Sequence, residues 1–424
     1  MTSLPDGTRF VLPEHASVRM RLLDRLRDLY RAWGYLPAEV PALESYDPSH
    51  PRAAQSFKLS DRDSGVLALR SDFTPALARL IRTHYPQAAQ GEKAVRLQYR
   101  GTVWHAIDPD LARTREFTQL GLELVGVSNA RADAELIHLA RESVRAVGLV
   151  PRVEVGAPGF VRTLLDLADV ADASRDAVAD AIDRKDQATL HALLDALAPP
   201  AELRRALQNT PDLYGDLSVL ESARKLAPWP ETVRELDRLA EIVAEFEDPS
   251  ELLLDLGMAR RLAYYTGMTF RAYTFDFGQP LLGGGRYDGA LLPYAAGFSI
   301  GLERLASALP DQGPEDGAVV LSMDDAGARK LRSAGVCVVR ALSSDREAAL
   351  VEARELGAGY LLAGGLEPLD DDRSDLETLE RILDGSSLAG SALQDSPRED
   401  STTEGSTPGG SILQGGSMED SDDD

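Results

Sequence analysis

Hydrophobic residues near the start of the chain recur at helical spacing. Four of them fall on one face of a helix: Leu22, Leu26, Leu29 and Trp33. Gly34 ends this helix, and residues 39–44 read as a short extended segment whose Pro41 cannot donate to a β-ladder, which favours a sheet edge or an interface. The pattern then predicts two antiparallel strands around an Asp-rich turn and a helix from about Pro75.

Strand and helix patterns alternate through the rest of the body. Residues 99–126 read as two strands around a charged loop, and residues 132–149 as an amphipathic helix. Between about residues 160 and 247 the helical periodicity in an Ala, Leu, Asp and Arg background predicts an all-helical insertion. Strand character returns at residues 259–289, and residues 297–309 read as a buried strand that leads into a helix.

The C-terminal part has a different pattern. After a Pro, Gly and Asp linker, residues 318–384 alternate strands and helices at intervals that suit a small α/β domain. Residues 385–424 are rich in Ser, Gly and Asp and cannot bury enough apolar surface to order themselves, so we expect a disordered acidic tail. The predicted class is α+β, with residues 1–310 forming an antiparallel sheet flanked by helices.

Composition narrows the possible classes of protein. The 424 residues are 43% hydrophobic, which is enough for a sizeable core and two or three domains. The single cysteine, Cys337, excludes an internal disulfide framework, and the six histidines lack metal-ligand spacing. The start of the chain lacks a signal-peptide pattern, and no long apolar run occurs. We therefore expect a cytoplasmic protein with no metal site and no membrane span.

The charge of the chain weighs against nucleic-acid binding. The formal net charge is −24, and nine of the 69 acidic and one of the 45 basic residues lie in residues 385–424. The remainder holds 60 acidic against 44 basic residues, or −16, which would repel a polyphosphate backbone at long range.

Three sequence blocks carry candidate chemistry. Gln119 and Glu123 lie four residues apart on a predicted strand, so both point to one face, where an amide and a carboxylate could hold an amino group. LLGGGRYDG offers three glycines for close backbone approach, beside Arg286 and Tyr287. ARRLAYYTG supplies two cations and two phenols: Arg260, Arg261, Tyr264 and Tyr265. Each block alone has a plainer interpretation, as a turn, a solvated pair or core tyrosines.

Taken together, the motifs resemble one family over the body of the chain. The chain resembles the catalytic domain of class II histidyl-tRNA synthetases, in particular their paralogues, the regulatory subunits of ATP phosphoribosyltransferase. EVPALE is similar to the first motif, at the dimer interface; RGTVWHAID with REFTQLGLE is similar to the second, and GFSIGLERL to the third. The resemblance implies a class II aminoacyl-tRNA synthetase-like fold for residues 1–310 and a reduced anticodon-binding domain for residues 318–384.

The resemblance also implies a pocket for histidine. LALRSDFTPALAR is similar to the segment that presents an acid and a threonine to histidine in the synthetase. Eight residues match positions around that ligand: Asp72, Thr74, Gln119, Glu123, Arg260, Tyr264, Tyr265 and Tyr287. Two neighbours depart from the synthetase motif, because Arg261 stands in place of glycine and Ala263 in place of aspartate. These departures affect the predicted shape of the pocket more than its existence.

The nucleotide half of the site is predicted to be degenerate. The synthetase's second motif has Phe-Arg and, two residues later, Glu, where this chain has residues 104–107, Trp-His-Ala-Ile. A neutral imidazole at His105 cannot give the bidentate charged contact of arginine, and Ile107 accepts no hydrogen bond, so adenylation should be close to abolished. Arg304 still matches the arginine that packs on adenine, and its role is open between residual nucleotide contact and a salt bridge at the helix start.

These features favour a regulatory subunit without catalytic residues or a cofactor of its own. The resemblance implies a short-form ATP phosphoribosyltransferase catalytic subunit as partner, histidine as regulatory ligand, and self-association through the class II dimer interface. The complex would perform the first step of L-histidine biosynthesis under feedback inhibition, with histidine in the ancestral pocket or at the interface between subunits. The alternatives are an active histidyl-tRNA synthetase, disfavoured by His105, Ile107 and the acidic body, and a stand-alone histidine-sensing adaptor.

Overall fold

The computed structural model consists of two compact units, residues 1–314 and 315–424. The structure describes seven ranges: 4–50, 52–62, 65–108, 114–259, 264–310, 319–369 and 375–385. Several positions of interest lie outside the described residues: Arg260, Arg261, Ala263, the linker at residues 311–318 and the predicted disordered tail from residue 386.

A nine-stranded sheet organises the first unit. The strands of this unit are β1 (Leu36–Pro37), β2 (Leu43–Ser45), β3 (Lys58–Ser60), β4 (Val66–Leu69), β5 (Val95–Trp104), β6 (Glu116–Val125), β7 (Arg152–Gly156), β8 (Tyr214–Gly215), β9 (Leu252–Asp255), β10 (Thr269–Thr274), β11 (Phe277–Arg286) and β12 (Ala295–Gly301). Nine of them form the sheet in the order β1-β5-β6-β12-β11-β10-β7-β9-β8, and β2-β4-β3 form a separate small sheet.

The strand directions agree with the predicted antiparallel sheet at its centre and depart from it near the edges. The six central strands of the sheet, in the spatial order β5-β6-β12-β11-β10-β7, pair antiparallel throughout. The pairs β1–β5 and β7–β9 are parallel. Parallel neighbours require a long crossover, and in both cases the intervening chain contains helices that return it to the starting end of the sheet.

Helices cover the sheet and form the insertion. The α-helices of the first unit are α1 (Pro13–Ala32), α2 (Thr74–His84), α3 (Pro86–Ala89), α4 (Ala130–Ala146), α5 (Pro158–Leu167), α6 (Asp172–Asp183), α7 (Gln187–Leu197), α8 (Ala201–Asn209), α9 (Ser218–Leu226), α10 (Pro230–Val243) and α11 (Leu302–Ala308). In α1, Leu22 and Leu26 are buried as predicted, whereas Trp33 is exposed because the helix has ended at Ala32, and Tyr30 takes the buried position.

The insertion is not entirely helical, which corrects the prediction. Helices α5 to α10 occupy it, but Tyr214 and Gly215 form β8, which pairs with β9 at the edge of the sheet. The flanking strands β7 and β9 were not predicted either. All three are too short to show a strand period, and their pairing depends on residues far away in the sequence.

The second unit is a small α/β sheet. Its strands are β13 (Val319–Ser322), β14 (Cys337–Arg340), β15 (Tyr360–Leu362) and β16 (Leu366–Pro368), and its helices are α12 (Asp325–Ser333), α13 (Arg346–Leu356) and α14 (Leu376–Leu383). The order is β14-β13-β15-β16, with β13 parallel to both neighbours and β16 antiparallel to β15. In neither unit do the described residues include a helix that is long and apolar enough to cross a membrane.

A buried ion pair joins the sheet to the helices that cover it. Asp133 of α4 and Arg286 at the end of β11 are 1% and 3% exposed, and Asp133 Oδ1 lies 2.6 Å from Arg286 Nη2. Arg238 of α10 reaches the other Asp133 oxygen at 2.9 Å, and Arg286 also donates to Asp288 at 2.8 Å. Arg286 was expected to lie beside a ligand. Its guanidinium instead forms ion pairs between the sheet and the covering helices.

We expect Asp133→Ala to lower the free energy of unfolding by about 3–5 kcal/mol, because it removes the fully buried counter-ion of Arg286 and leaves that guanidinium only its contact with Asp288. The measurement is urea unfolding followed by tryptophan fluorescence. The chain has three tryptophans, Trp33, Trp104 and Trp229, and all lie in the first unit, so the signal reports on that unit alone.

Asp237→Ala provides the control for this experiment. Asp237 pairs with Arg224 at 2.5 Å on the surface, where an ion pair contributes at most about 1 kcal/mol. Equal losses of stability in the two variants would contradict an anchoring role for the buried pair.

Candidate functional site

A cleft lies on the face of the sheet opposite to α4. In β6, Leu120, Leu122 and Leu124 join the main core, where α4 packs. Because side chains alternate along a strand, Gln119 and Glu123 point to the other face. Two adjoining cavities of about 1130 and 1030 Å³ open there, which we name the Glu123 cavity and the His105 cavity after residues that line them.

Seven of the eight predicted pocket residues line the Glu123 cavity: Asp72, Thr74, Gln119, Glu123, Tyr264, Tyr265 and Tyr287. The eighth, Arg260, lies outside the described residues. The seven come from segments spread over more than two hundred positions of sequence, so the fold brings them together. Their role in binding a ligand stays a prediction.

Glu123 is the most constrained group of this cavity. Its side chain is 3% exposed; Oε1 accepts a hydrogen bond from the Thr74 hydroxyl at 3.2 Å, and Oε2 accepts one from the Tyr287 hydroxyl. Burial raises the pKa of Glu123 to about 8 and outweighs the two hydrogen bonds, which lower it; Asp72 raises it further. A cation that entered the cavity would favour the ionised form and become its counter-charge.

Aromatic rings surround this carboxyl group. Tyr264 stacks on Tyr287 with ring centroids 5.3 Å apart, and Tyr265 meets Tyr264 edge-on at 5.0 Å. Tyr99, which was not predicted, lines the same cavity and stacks on Phe73 at 4.6 Å. Ring faces beside a carboxylate suit an ammonium group or a cationic ring.

Of the three glycines of β11, Gly284 and Gly285 serve close packing. They lie in a strand, so the simple interpretation of GGG as a turn is wrong. A Cβ on Gly284 would lie 2.2 Å from the carbonyl oxygen of Gly297, and one on Gly285 would lie 2.8 Å from the Tyr265 ring. On β12, a Cβ on Gly297 would lie 2.3 Å from Glu123 Oε2. Gly297 and Gly285 thus leave the room that the Glu123 carboxyl and the Tyr265 ring occupy, and Gly284 lets β12 approach closely.

Two further segments line the Glu123 cavity and were missed by sequence reasoning. The loop before β3 contributes Asp47, Ser49, His50, Arg52 and Gln55, and α6 of the insertion contributes Asp176 and Asp180. The Asp-Pro-Ser run at residues 47–49 is a turn signal, but a turn signal does not show where in the fold the loop lies. The Ala106 amide donates to the Gln55 carbonyl at 2.7 Å, which ties this loop to the segment after β5.

His105 follows β5 and lines the second cavity together with Ile107 and Arg304. Its Nε2 lies 3.0 Å from the Ser71 carbonyl oxygen and 3.2 Å from Arg52 Nη1, and its ring meets Phe117 edge-on at 5.1 Å. Burial lowers the pKa of His105, which favours the neutral imidazole.

Arg304 donates to the Pro280 carbonyl at 2.9 Å, from the first turn of α11. A salt bridge at the helix start, one of the two roles open to Arg304, is made by its neighbour instead, since Glu303 pairs with Arg19 at 3.0 Å. Glu303 also accepts a hydrogen bond from the Thr118 amide at 3.0 Å, which fixes α11 against β6.

Charge is separated along the cleft. Among the described residues, five acidic side chains line the Glu123 cavity, namely the protonated Glu123 and four aspartates: Asp47, Asp72, Asp176 and Asp180. The His105 cavity is lined by one carboxylate, Glu303, and by four arginines: Arg9, Arg52, Arg271 and Arg304. A ligand with a cationic and an anionic end would match this arrangement. No cluster of three or more His, Cys, Asp or Glu suited to a metal ion occurs in the described ranges.

Comparison with known proteins identifies the family. Residues 7–305 match the family model described as Histidyl-tRNA synthetase. The chain is 46% identical over 325 residues to an ATP phosphoribosyltransferase regulatory subunit of Thermus thermophilus, covering 76% of this chain and 87% of that relative. It is 44% identical over 349 residues to the ATP phosphoribosyltransferase regulatory subunit of Deinococcus radiodurans, covering 81% of this chain and 84% of that relative. The chain belongs to the ATP phosphoribosyltransferase regulatory subunits.

Solved structures agree with this family and with the predicted fold class. An ATP phosphoribosyltransferase regulatory subunit/histidyl-tRNA synthetase from Bacillus halodurans is 28% identical with a TM-score of 0.73, over 85% of this chain and 98% of that one. A histidyl-tRNA synthetase from Nostoc gives a TM-score of 0.74 over 89% and 99% of the two chains; at 20% identity it supports the fold alone. The class II synthetase-like fold is therefore confirmed.

The raised pKa of Glu123 predicts how stability depends on pH. Below its ordinary pKa of 4.5 the carboxyl is protonated in both the folded and the unfolded chain, and up to about pH 8 only the folded chain keeps the proton. The stability that this proton contributes is thus lost as pH rises through that window. Relative to Glu123→Gln, the wild type should lose up to about 1.4 kcal/mol of unfolding free energy per pH unit.

Urea unfolding of both proteins at pH 5, 6 and 7, monitored by tryptophan fluorescence, measures this difference. The other titrating groups are common to the two proteins and cancel in the comparison. A difference in unfolding free energy that stays constant with pH would mean that Glu123 is ionised in the folded chain.

Proposed function

We propose that this chain is a non-catalytic regulatory subunit that binds histidine and supports the ATP phosphoribosyltransferase activity of a short-form catalytic chain in histidine biosynthesis. One observation carries the proposal: seven residues expected to surround histidine converge on the Glu123 cavity, while the position of the phosphate-binding arginine holds His105. The names of the relatives from Thermus and Deinococcus support the regulatory role.

Histidine matches the Glu123 cavity in its chemistry. Its imidazole can hydrogen-bond to a carboxyl such as that of Glu123 and lie against tyrosine rings, and its ammonium group can be received by Asp72 and Gln119. The buried Glu123 carboxyl has both oxygens occupied by hydroxyl donors, so a ligand must join or replace those bonds. Such a site rejects a ligand that displaces one of these hydroxyls without replacing its hydrogen bond, since a buried polar group would be left unpaired.

The absence of adenylation is proposed from the second motif. A neutral His105 offers no permanent charge to a phosphate, and Ile107 offers no hydrogen bond. Loss of one electrostatic stabiliser costs about a hundred- to a thousandfold in rate. The proposal includes a cytoplasmic complex that does not contact nucleic acid. The net charge of −24 supports the absence of nucleic-acid contact.

We also propose self-association through the small sheet. Leu43 lies opposite Leu69, and Leu59 opposite Leu67, so the four side chains share one face. Leu43 and Leu59 are 48% and 42% exposed. An exposed apolar sheet face suits an isologous contact with a second copy of the chain, which agrees with the expected class II dimer interface.

Feedback inhibition requires that histidine bind the inhibited complex more tightly than the active one. A typical coupling free energy is about 1–3 kcal/mol. The carboxyl of Glu123 is a suitable centre for such coupling, because occupancy changes both its charge and its hydrogen bonds with α2 and with Tyr287.

Mixing this chain with the short-form catalytic chain should give a complex that forms phosphoribosyl-ATP and is inhibited by histidine. The chain alone should catalyse histidine-dependent pyrophosphate exchange with ATP at least about a hundredfold more slowly than a histidyl-tRNA synthetase assayed in parallel. Robust exchange would instead identify a synthetase. Failure to co-elute with the catalytic chain or to confer activity would favour a stand-alone adaptor.

Glu123→Gln should raise the histidine concentration for half-inhibition of the complex by about ten- to a hundredfold, because a charge-assisted hydrogen bond is lost. Glu116→Gln is the matched control, since Glu116 is exposed on the same strand and lines neither cavity. Unchanged inhibition in Glu123→Gln would move the sensor to another place, such as the interface between subunits.

A further inference from the structure

Arg52 occupies the junction of the two cavities. Seven described residues line both of them: Arg52, Gln55, Gln119, Tyr265, Gly283, Gly284 and Ser299. Arg52 is the charged one. It therefore lies where the carboxylate-rich half of the cleft meets the arginine-rich half, and a ligand whose imidazole is held at Glu123 would extend toward it.

The backbone around Arg52 is held in place. The Arg52 amide donates to His50 Nδ1 at 3.0 Å, and the Arg52 carbonyl accepts from the Ser56 hydroxyl at 3.1 Å. The bond from the Ala106 amide to the Gln55 carbonyl fixes the same loop to the segment that carries His105. A cation on an anchored loop loses less entropy on binding than one on a free loop.

His105 orients the guanidinium from the other side. Its Nε2 lies within hydrogen-bonding distance of both Arg52 Nη1 and the Ser71 carbonyl. A neutral imidazole has one N–H, so Nε2 accepts from Arg52 in one tautomer and donates to Ser71 in the other. An arginine at this position would put a second cation against Arg52, whereas a neutral ring accommodates it.

We infer that Arg52 binds the carboxylate of the amino acid ligand and that His105 is its positioning residue. The guanidinium fork matches a carboxylate in a bidentate geometry. The second motif of this chain lacks an arginine. Arg52, on the loop before β3, supplies a positive charge instead, at the junction of the two cavities, where it can meet a free carboxylate. The inference rests on the proposed function and deepens it: the site would be selective for the free amino acid over analogues without a carboxylate.

The test compares L-histidine with L-histidinol, in which a CH₂OH group replaces the carboxylate. Calorimetric titration of the full-length wild-type chain should give a dissociation constant for histidinol about ten- to a hundredfold higher than that for histidine. In Arg52→Gln the ratio of the histidinol to the histidine dissociation constant should fall to below about threefold, because histidine binds more weakly while histidinol binds as before.

Variants of His105 test the positioning role with the same ratio. His105→Phe keeps a ring against Phe117 but removes the nitrogen that faces Arg52, so the ratio should fall part of the way. His105→Asn restores a hydrogen-bonding group and should recover part of the ratio. Arg100→Gln is the matched control: Arg100 is exposed on β5, lines neither cavity and should keep the wild-type ratio.

The outcomes separate the two levels of the hypothesis. If Arg52→Gln weakens histidine and histidinol equally, Arg52 has a structural role and the inference is overturned; unchanged histidine affinity overturns it as well. If the wild type binds histidine and histidinol with equal affinity, the carboxylate is not recognised. If the wild type, alone and in its complex with the catalytic chain, binds neither ligand, the proposed function itself fails.

Discussion

The buried carboxyl group of Glu123 is the constraint on which the site depends. A carboxyl shielded from water is costly unless its oxygens are hydrogen-bonded, and here the donors come from two distant segments, Thr74 at the start of α2 and Tyr287 after β11. Room for the group exists because Gly297 on the neighbouring strand has no side chain. The position of this one side chain therefore depends on the sheet that carries it, on α2, and on glycine at position 297.

The end of β11 serves the core and the site at once. Arg286 points to α4 and pairs with Asp133, while the next residue, Tyr287, points to the opposite face and donates to Glu123. Alternation along an extended chain makes this division possible. The ion pair that fixes Arg286 thereby also fixes the position of the Tyr287 hydroxyl, which links the packing of the covering helices to the geometry of the cleft.

The two halves of the cleft differ in how far they follow the synthetase pattern. The Glu123 cavity has the acids, amide and tyrosines that the resemblance implies, together with carboxylates from α6. The His105 cavity has His105 in place of the synthetase's second-motif arginine, yet four described arginines from other elements line it in a chain of net charge −24. Local charge in a cleft is thus independent of the charge of the whole chain.

The sequence by itself determined the elements with a strong period: the α1 stripe at Leu22 and Leu26, the β5–β6 pair with Gln119 and Glu123 on one face, and the α/β alternation of the second unit. The resemblance to the family's motifs added Thr74 and the tyrosines to the predicted pocket. Tertiary structure decided the rest, namely strands β7 to β9, the commitment of Arg286 to Asp133, and the arrival of Arg52, Asp176 and Asp180 at the cleft. These depend on pairings between residues far apart in sequence, which leave no periodic signal in the segments that make them.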